Sequence, residues 1–138
     1  MDHLAILSKG KILEKILSGQ KTIESRWYRF RRDPYGTINS GDRIYFKESG
    51  EPVTAMAEVE KTEFFSDLTL EKIKWILRTY GKQICADESS AHAKADKRYC
   101  SLIFIKNVKQ IEPFHIDKTG YGNAVAWIRV QNIDKLRK

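Results

Sequence analysis

The sequence predicts an α+β domain in which five to six mixed strands form a small β-barrel and two main helices pack on it. The first observation behind this prediction is the order of the sequence patterns, which runs strand, helix, strands, helix, strands. The second is that the β-prone segments are short, and a sheet of short strands removes its exposed edges by curling into a barrel. The third is the length of 138 residues, which suits one hydrophobic core, so we expect a single domain over residues 1–138.

The first strand and the first helix are predicted at the start of the chain. Residues 3–7, HLAIL, have the composition of a short buried strand. Ser8 is in place to cap a helix that runs to about Ser18, and Gly19 is in place to end it in the left-handed conformation. Four apolar residues of this helix fall on one face and are expected to pack inward: Ile12, Leu13, Ile16 and Leu17.

Three further strands are predicted before the second helix. Residues 22–30, TIESRWYRF, are rich in β-branched and aromatic side chains, and Asp-Pro-Tyr-Gly at 33–36 has the composition of a turn. Residues 43–48, RIYFKE, follow a second turn. From Val53 to Glu60 apolar and polar residues alternate, which is the period of a half-buried strand.

The second half of the chain begins with the second helix. Asp67 or Thr69 can cap it, and we expect Gly81 to stop it. Residues 82–98 are polar and lack periodicity, so we interpret them as an insertion loop with a weak helical turn. After a β-prone run at 99–108, the glycine-rich residues 118–122 are expected to form a hairpin turn that leads into a last strand, NAVAWIRV.

Composition excludes several classes of protein. No apolar run approaches the ~20 residues that cross a bilayer. The apolar run near the start of the sequence is too short for the apolar region of a secretory signal. Cys85 and Cys100 form no C-x-x-C pair, so we expect a reducing, cytoplasmic location. The three histidines lack zinc-ligand spacing, and the glycines match no nucleotide fingerprint. We therefore expect no metal, no cofactor and no membrane partner.

The basic residues point to a polyanionic partner. The net charge is +7, and four arginines fall within seven positions of the stretch GQKTIESRWYRFRR. Interleaved guanidinium groups and aromatic rings suit single-stranded nucleic acid, because arginines pair with phosphates while rings stack on bases. The residues concerned are Arg26, Arg29, Arg31 and Arg32 with Trp27, Tyr28 and Phe30. The alternative is that Trp27 or Phe30 fills the core while the arginines lie over the surface and pair with acids of neighbouring strands.

The spacing Gly19-x-Lys21-x-x-Glu24-x-Arg26 suggests a site within this stretch. If a strand begins near residue 22, Glu24 and Arg26 project to the same side, and Lys21 lies in the turn before them. The three charges would then converge on one cleft. In the alternative interpretation Lys21 stabilises the carboxyl end of a helix, and Glu24 with Arg26 is an ordinary ion pair.

This spacing, after a short amphipathic helix and before a strand, resembles the signature of the ASCH domain family. The residues INSGDRIYFKESG at 38–50 and the late aromatic strand are similar to the same family. The resemblance implies a PUA-like barrel with a nucleic-acid-facing cleft lined by Lys21, Glu24 and Arg26. Most members are inferred RNA binders, some resemble ribonucleases, and one bacterial branch is a 4-acetylcytidine amidohydrolase that has threonine where this chain has Glu24.

Our leading hypothesis is therefore an RNA-binding protein that takes single-stranded RNA, or a nucleotide from it, in a basic cleft. Lys21 and Arg26 would hold a phosphate or a base carbonyl, and Glu24 would orient them or accept from a base amino group. The rings of Trp27, Tyr28 or Phe30 would stack on bases. The other arginines, Arg29, Arg31 and Arg32, would extend the cleft.

Two alternatives belong to other classes of function. In the first, Lys21 and Glu24 are a catalytic pair, either in a single-strand ribonuclease or in a 4-acetylcytidine amidohydrolase. In the second, the basic face is a protein-interaction module that meets an acidic partner. The oligomeric state and the recognised base stay open.

Overall fold

The computed structural model describes all 138 residues and has one six-stranded mixed sheet with two helices. The strands are β1 Asp2–Leu7, β2 Ile23–Tyr28, β3 Arg43–Glu48, β4 Val53–Phe65, β5 Tyr99–Phe114 and β6 Trp127–Val130; the helices are α1 Ile12–Leu17 and α2 Leu70–Ile84. The strand order is β2-β5-β4-β3-β1-β6, and only β1 and β3 run parallel. No helix is long and apolar enough to span a membrane.

The sheet curls until its two edge strands, β2 and β6, come close together. Arg26 of β2 donates from Nη1 to the carbonyl oxygen of Ala126, just before β6, at 3.3 Å. Arg129 of β6 lies 3.6 Å from Asp33, in the loop after β2. Register shifts along the β4–β5 pair allow the two longest strands to bend. The prediction of a curled, barrel-like sheet with two helices is confirmed, and the gap between β2 and β6 is called the seam below.

The hydrophobic core divides between the two faces of this sheet. Inside the barrel, a cluster of twelve residues includes Ile44, Phe46, Ile103 and Trp127, and α1 closes it with Ile16. On the outer face, α2 packs on β2 and β5 through a second cluster, which includes Ile73, Ile76, Ile23 and Leu102. Both faces of β2 and β5 are therefore covered, and polar side chains on their inner face are removed from water.

Helix α1 is shorter than predicted. It begins at Ile12 with Lys11 at the N-cap and no side-chain cap, so the prediction that Ser8 caps it is wrong. The Ser49 amide donates to the carbonyl of Leu7, so the chain is still extended immediately before Ser8 and does not turn into a helix there. Gly19 has the expected positive φ, +81°, after the helix.

Helix α2 begins as predicted and ends later. The Thr69 hydroxyl accepts from the Lys72 amide at 3.2 Å, which confirms Thr69 as the cap. Gly81 does not stop the helix, which continues to Ile84 and ends with Cys85 in the left-handed conformation. A side chain at Gly81 would overlap the carbonyl of Ala86, so this glycine is needed for the tight return of the chain.

The predicted hairpin between the last two strands is wrong. Strand β5 lies between β2 and β4, whereas β6 pairs antiparallel with β1 at the other edge. Because both sides of β5 already have a partner, the chain after Phe114 crosses the molecule to the free side of β1. The last strand also covers only Trp127–Val130 of the predicted eight residues.

The segment 82–98 is ordered and packs beside β2. After α2 it forms two 3₁₀ turns, at Glu88–Ser90 and His92–Lys94. Ala91 between them is fully buried in the α2 cluster. The Arg98 amide then donates to the carbonyl of Tyr28 at 2.8 Å, so the segment reaches the end of β2.

Candidate nucleic-acid interface

Strand alternation in β2 separates the predicted site residues into two groups. Glu24, Arg26 and Tyr28 project into the barrel, on the face that carries Ile103 of the partner strand. Trp27 projects to the outer face, where it packs against the α2 cluster with Ile23. The predicted common side of Glu24 and Arg26 is therefore found, and Tyr28 joins them.

Lys21 lies apart from this group. Its Nζ is buried, 7% of the residue being exposed, and donates to the carbonyl of Ile84 at 2.8 Å. It forms no ion pair with Glu24, whose only ionic partner is Arg26. The predicted convergence of three charges is thus wrong for Lys21. The ammonium group instead satisfies a carbonyl at the carboxyl end of α2, where a positive charge is favourable.

Glu24 is buried, and only one of its two carboxylate oxygens contacts a partner. The residue is 5% exposed, and Oε1 lies 3.6 Å from Nε of Arg26. Oε2 has no hydrogen-bond partner. Leaving a buried acceptor unsatisfied costs about 1–3 kcal/mol, and more for a charged group.

Two hydroxyl groups on the same inner face of the sheet are also buried without a hydrogen-bond partner. Tyr28 Oη and Ser101 Oγ are both buried, and neither makes a hydrogen bond. Ser101 is paired with Arg26 in the register of β2 and β5, and its hydroxyl lies close enough to Tyr28 to oppose the effect of burial on the pKa of Tyr28. Burial raises the pKa of Tyr28, so its hydroxyl keeps its proton and can donate.

Of these three residues only Tyr28 lines the pocket in the seam, where Arg26 joins it. The pocket has a volume of about 270 Å³ and is lined by residues 26–28 and 32–34 on one side and residues 124–127 on the other. Arg26 lies over the ring of Trp127, with its guanidinium carbon 5.0 Å from the ring centre. Pockets for drug-sized ligands hold roughly 300–1,000 Å³, so this pocket lies just below that range.

A buried histidine fixes the Trp127 wall of the pocket. Trp127 Nε1 donates to His3 Nδ1 at 3.1 Å, and His3 Nε2 lies 2.9 Å from Asp42 Oδ2. Because Nδ1 accepts, the ring proton of neutral His3 is on Nε2 and points at Asp42. Burial lowers the pKa of His3 despite the neighbouring carboxylate. The indole is thereby held at a fixed angle.

Among the remaining arginines of this stretch, Arg32 lines the seam pocket. Arg29, Arg31 and Arg32 are exposed, and none of them forms an ion pair. Their guanidinium carbons lie over the rings of Phe30, Tyr35 and Tyr28, at 5.5, 5.1 and 5.9 Å respectively. Their charges are therefore available to an anion.

The aromatic residues of this stretch differ in exposure. Phe30 is 72% exposed, whereas Tyr28 is buried. Trp27 is half-buried, donates from Nε1 to Ser25 Oγ at 3.1 Å and lies under Lys94. The interpretation that a ring of this stretch fills the core therefore holds in part for Trp27 and not for Phe30, and stacking on bases stays a prediction.

Ser101 is the member of this site that the sequence did not reveal. It lies within the apolar run YCSLIFIKNV, where a lone serine at an inward position is the only signal. Its pairing with Arg26 depends on strands separated by 75 positions, as the register Arg26–Ser101 records. No group of three or more histidine, cysteine or acidic side chains comes together as metal ligands.

Comparisons with known proteins support the fold. No protein-family model and no curated protein matches the chain. The crystal structure of ASCH from Zymomonas mobilis superposes with a TM-score of 0.71 at 15% identity, covering 99% of this chain and 96% of that chain. A tyrosine-to-phenylalanine variant of that protein gives 0.71 with 99% of both chains covered, and a serine-to-alanine variant gives 0.72 with 97% and 91% covered. The chain therefore has the fold of these ASCH structures, a curled half-barrel of six strands with two helices.

Proposed function

We propose that the protein binds single-stranded RNA, with one nucleotide of the strand entering the seam pocket. The observation that carries this proposal is the lining of one pocket, where Arg26 and Arg32 meet the ring of Trp127 and the buried Tyr28 side chain. Guanidinium groups pair with phosphates and aromatic rings stack on bases, so this lining suits a nucleotide.

The chemistry of the rim fits a flexible strand better than a duplex. Arg29, Arg31 and Arg32 can contact successive phosphates, and the exposed Phe30 ring offers a surface on which a base can stack. A base can stack on that ring only if it is unpaired, which a single strand provides without opening a helix.

We do not propose the hydrolytic alternative, because Lys21 and Glu24 form no pair and Lys21 Nζ is engaged by Ile84. No specific contact favours the protein-interaction alternative either. Binding is the function that the geometry supports best.

The proposal predicts a measurable preference. Fluorescence anisotropy with a labelled single-stranded RNA of ten nucleotides should show tighter binding than with the same sequence as a duplex.

Arg32→Ala should weaken binding about 3- to 10-fold, since it removes a charge that lines the pocket and makes no ion pair. The control is Lys109→Ala, an exposed charge on β5 outside the seam pocket, which should leave the affinity within error. Equal effects of both substitutions would contradict the proposal.

A further inference from the structure

We infer that the seam pocket takes a phosphate group of the strand, and that the bases of the strand stay outside it. This inference rests on the proposed RNA binding and adds which part of the nucleotide enters the pocket. The lining contains both guanidinium groups and aromatic rings, so the accessibility of each kind of group determines what the pocket can bind.

The rings that line the pocket offer almost no surface for stacking. Trp127 and Tyr28 are both buried. Arg26 lies over the Trp127 ring at 5.0 Å, and Arg32 lies over the Tyr28 ring at 5.9 Å. Trp27, the third ring of the lining, packs against the α2 cluster. Because a stacked base needs an open ring face, a base has no place to stack inside the pocket.

Moving Arg26 away from Trp127 to admit a base is unfavourable. Its Nε lies 3.6 Å from Oε1 of the buried Glu24, and its Nη1 donates to the carbonyl of Ala126 at 3.3 Å. Separating a buried ion pair leaves an uncompensated charge in the protein interior, which is strongly destabilising. The guanidinium group therefore stays in place as part of the pocket wall.

The two guanidinium groups present hydrogen-bond donors without a protein partner. Nε of Arg26 faces Glu24 and one Nη1 proton goes to Ala126, so the remaining N–H groups, including both on Nη2, are unpaired. Arg32 forms no hydrogen bond and no ion pair, so all of its N–H groups are available. A set of donors suits a ligand that only accepts, and phosphate oxygens match the planar guanidinium fork.

Asp33 is the one acidic side chain of the lining, and its carboxylate is already engaged. Oδ1 accepts from the Thr37 hydroxyl at 2.8 Å, and Oδ2 lies 3.6 Å from Nε of Arg129 across the seam. It is therefore not free to accept from a base amino group. With the ion pairs counted as neutral, the charge left in the pocket is that of Arg32, which is opposite in sign to a phosphodiester.

The bases then lie outside the pocket, where Phe30 has an exposed ring between Tyr28 and Arg32 in the sequence. Contacts to phosphates position a strand without reading its sequence. We therefore expect oligouridine and oligocytidine decamers to bind the protein with affinities within about 2-fold of each other.

The test follows the Trp127 indole N–H resonance of the full chain by NMR while inorganic phosphate or the nucleoside uridine is added at constant ionic strength. Phosphate should shift this resonance until it saturates, and uridine should not shift it. Arg32→Ala should weaken phosphate binding about 10-fold, because it removes the unpaired guanidinium group of the lining. The control is Lys109→Ala, which removes an exposed charge outside the seam pocket and should leave the affinity within error.

Asp33→Asn adds a test by the sign of its effect. It removes a negative charge from the lining while keeping the shape of the side chain, so phosphate and a uridine decamer should both bind about 2- to 5-fold more tightly. A pocket that receives an N–H group of a base on this carboxylate would bind the decamer more weakly after the same change.

The outcomes separate this inference from the proposed function. If phosphate does not shift Trp127, or if Asp33→Asn weakens binding of the decamer, the phosphate site is overturned while RNA binding stands. If the decamer does not bind, RNA binding is overturned and the inference falls with it. A saturating phosphate shift that weakens in Arg32→Ala, together with tighter decamer binding in Asp33→Asn, supports both.

Discussion

His3 is fully buried and uses both of its ring nitrogens, one as acceptor from Trp127 and one towards Asp42. The other charged groups that act on it are the N-terminal ammonium group and Arg129, and both oppose its protonation. Protonation would remove the acceptor that holds the indole. The hydrogen bond that holds the Trp127 wall of the pocket therefore depends on the protonation state of His3, and so on the pH.

The lowered pKa of His3 predicts that stability falls in mild acid. Below its ordinary pKa of about 6.5, the unfolded chain takes up a proton that the folded chain does not, so the free energy of unfolding decreases as the pH falls towards the folded-state pKa. The slope contributed by one such proton is at most about 1.4 kcal/mol per pH unit. Urea denaturation between pH 7.5 and 5 measures it.

The control for this prediction is His3→Gln, which keeps a hydrogen-bonding side chain without a titrating ring. Its stability at pH 7.5 should be lower, and its decrease between pH 6.5 and 5 should be smaller than that of the wild type. The exposed carboxylates Asp87 and Asp117 have lowered pKa values and affect stability only at more acidic pH. Parallel pH profiles for the two proteins would show that His3 is not the titrating group.

The sequence predicts the placement of site residues that depends on local strand alternation, but not the placement that depends on distant partners. The common side of Glu24 and Arg26 follows from strand alternation, which is a local property. Lys21 was misplaced because its partner, the carbonyl of Ile84, lies 63 positions away at the end of another element. The role of Ser101 likewise depends on the register of two distant strands, which no local pattern encodes.

At the scale of elements, helix α2 is the support on which β2 is positioned. Its last turn accepts hydrogen bonds from Lys21 and from the Thr22 amide, which bonds to Gln83 at 3.0 Å. The start of β2, and with it the depth of Glu24 in the barrel, is thereby fixed to the end of the helix. Gly81 allows the chain to turn back closely after that end.

Substitution of Gly81 tests this account of the helix end. Gly81→Ala should destabilise the protein by about 1–3 kcal/mol, because the added methyl group overlaps the Ala86 carbonyl. Helix propensity alone favours alanine by about 1 kcal/mol, so the two explanations predict opposite signs. Chemical denaturation decides between them, and an increase in stability would contradict the packing role. Lys82→Ala, at an exposed position of the same turn, should change stability by less than about 0.5 kcal/mol.

At the scale of the whole molecule, the seam exists because strands far apart in sequence meet at the two edges of one curled sheet. Composition and strand patterns predicted a curled α+β fold, and they also located the arginine-rich stretch. They could not predict that β6 joins β1 instead of β5, because that choice depends on which edge is still free after the other strands have paired. The pocket is a consequence of this closure.

Three exposed arginines, Arg29, Arg31 and Arg32, fall within four positions and have no ionic partners. If these arginines contact phosphates, binding must release counterions from the RNA. Each contact adds about −0.7 to the slope of log affinity against log salt concentration for a single strand.

The most direct test of the central claim is therefore the salt dependence of binding to one single-stranded RNA, measured by anisotropy at several salt concentrations. The wild type should lose affinity steeply as salt increases, and a triple variant, Arg29→Ala with Arg31→Ala and Arg32→Ala, should show a slope smaller by up to about 2. Identical slopes for the two proteins, or an affinity that does not change with salt, would contradict a nucleic-acid interface at the seam.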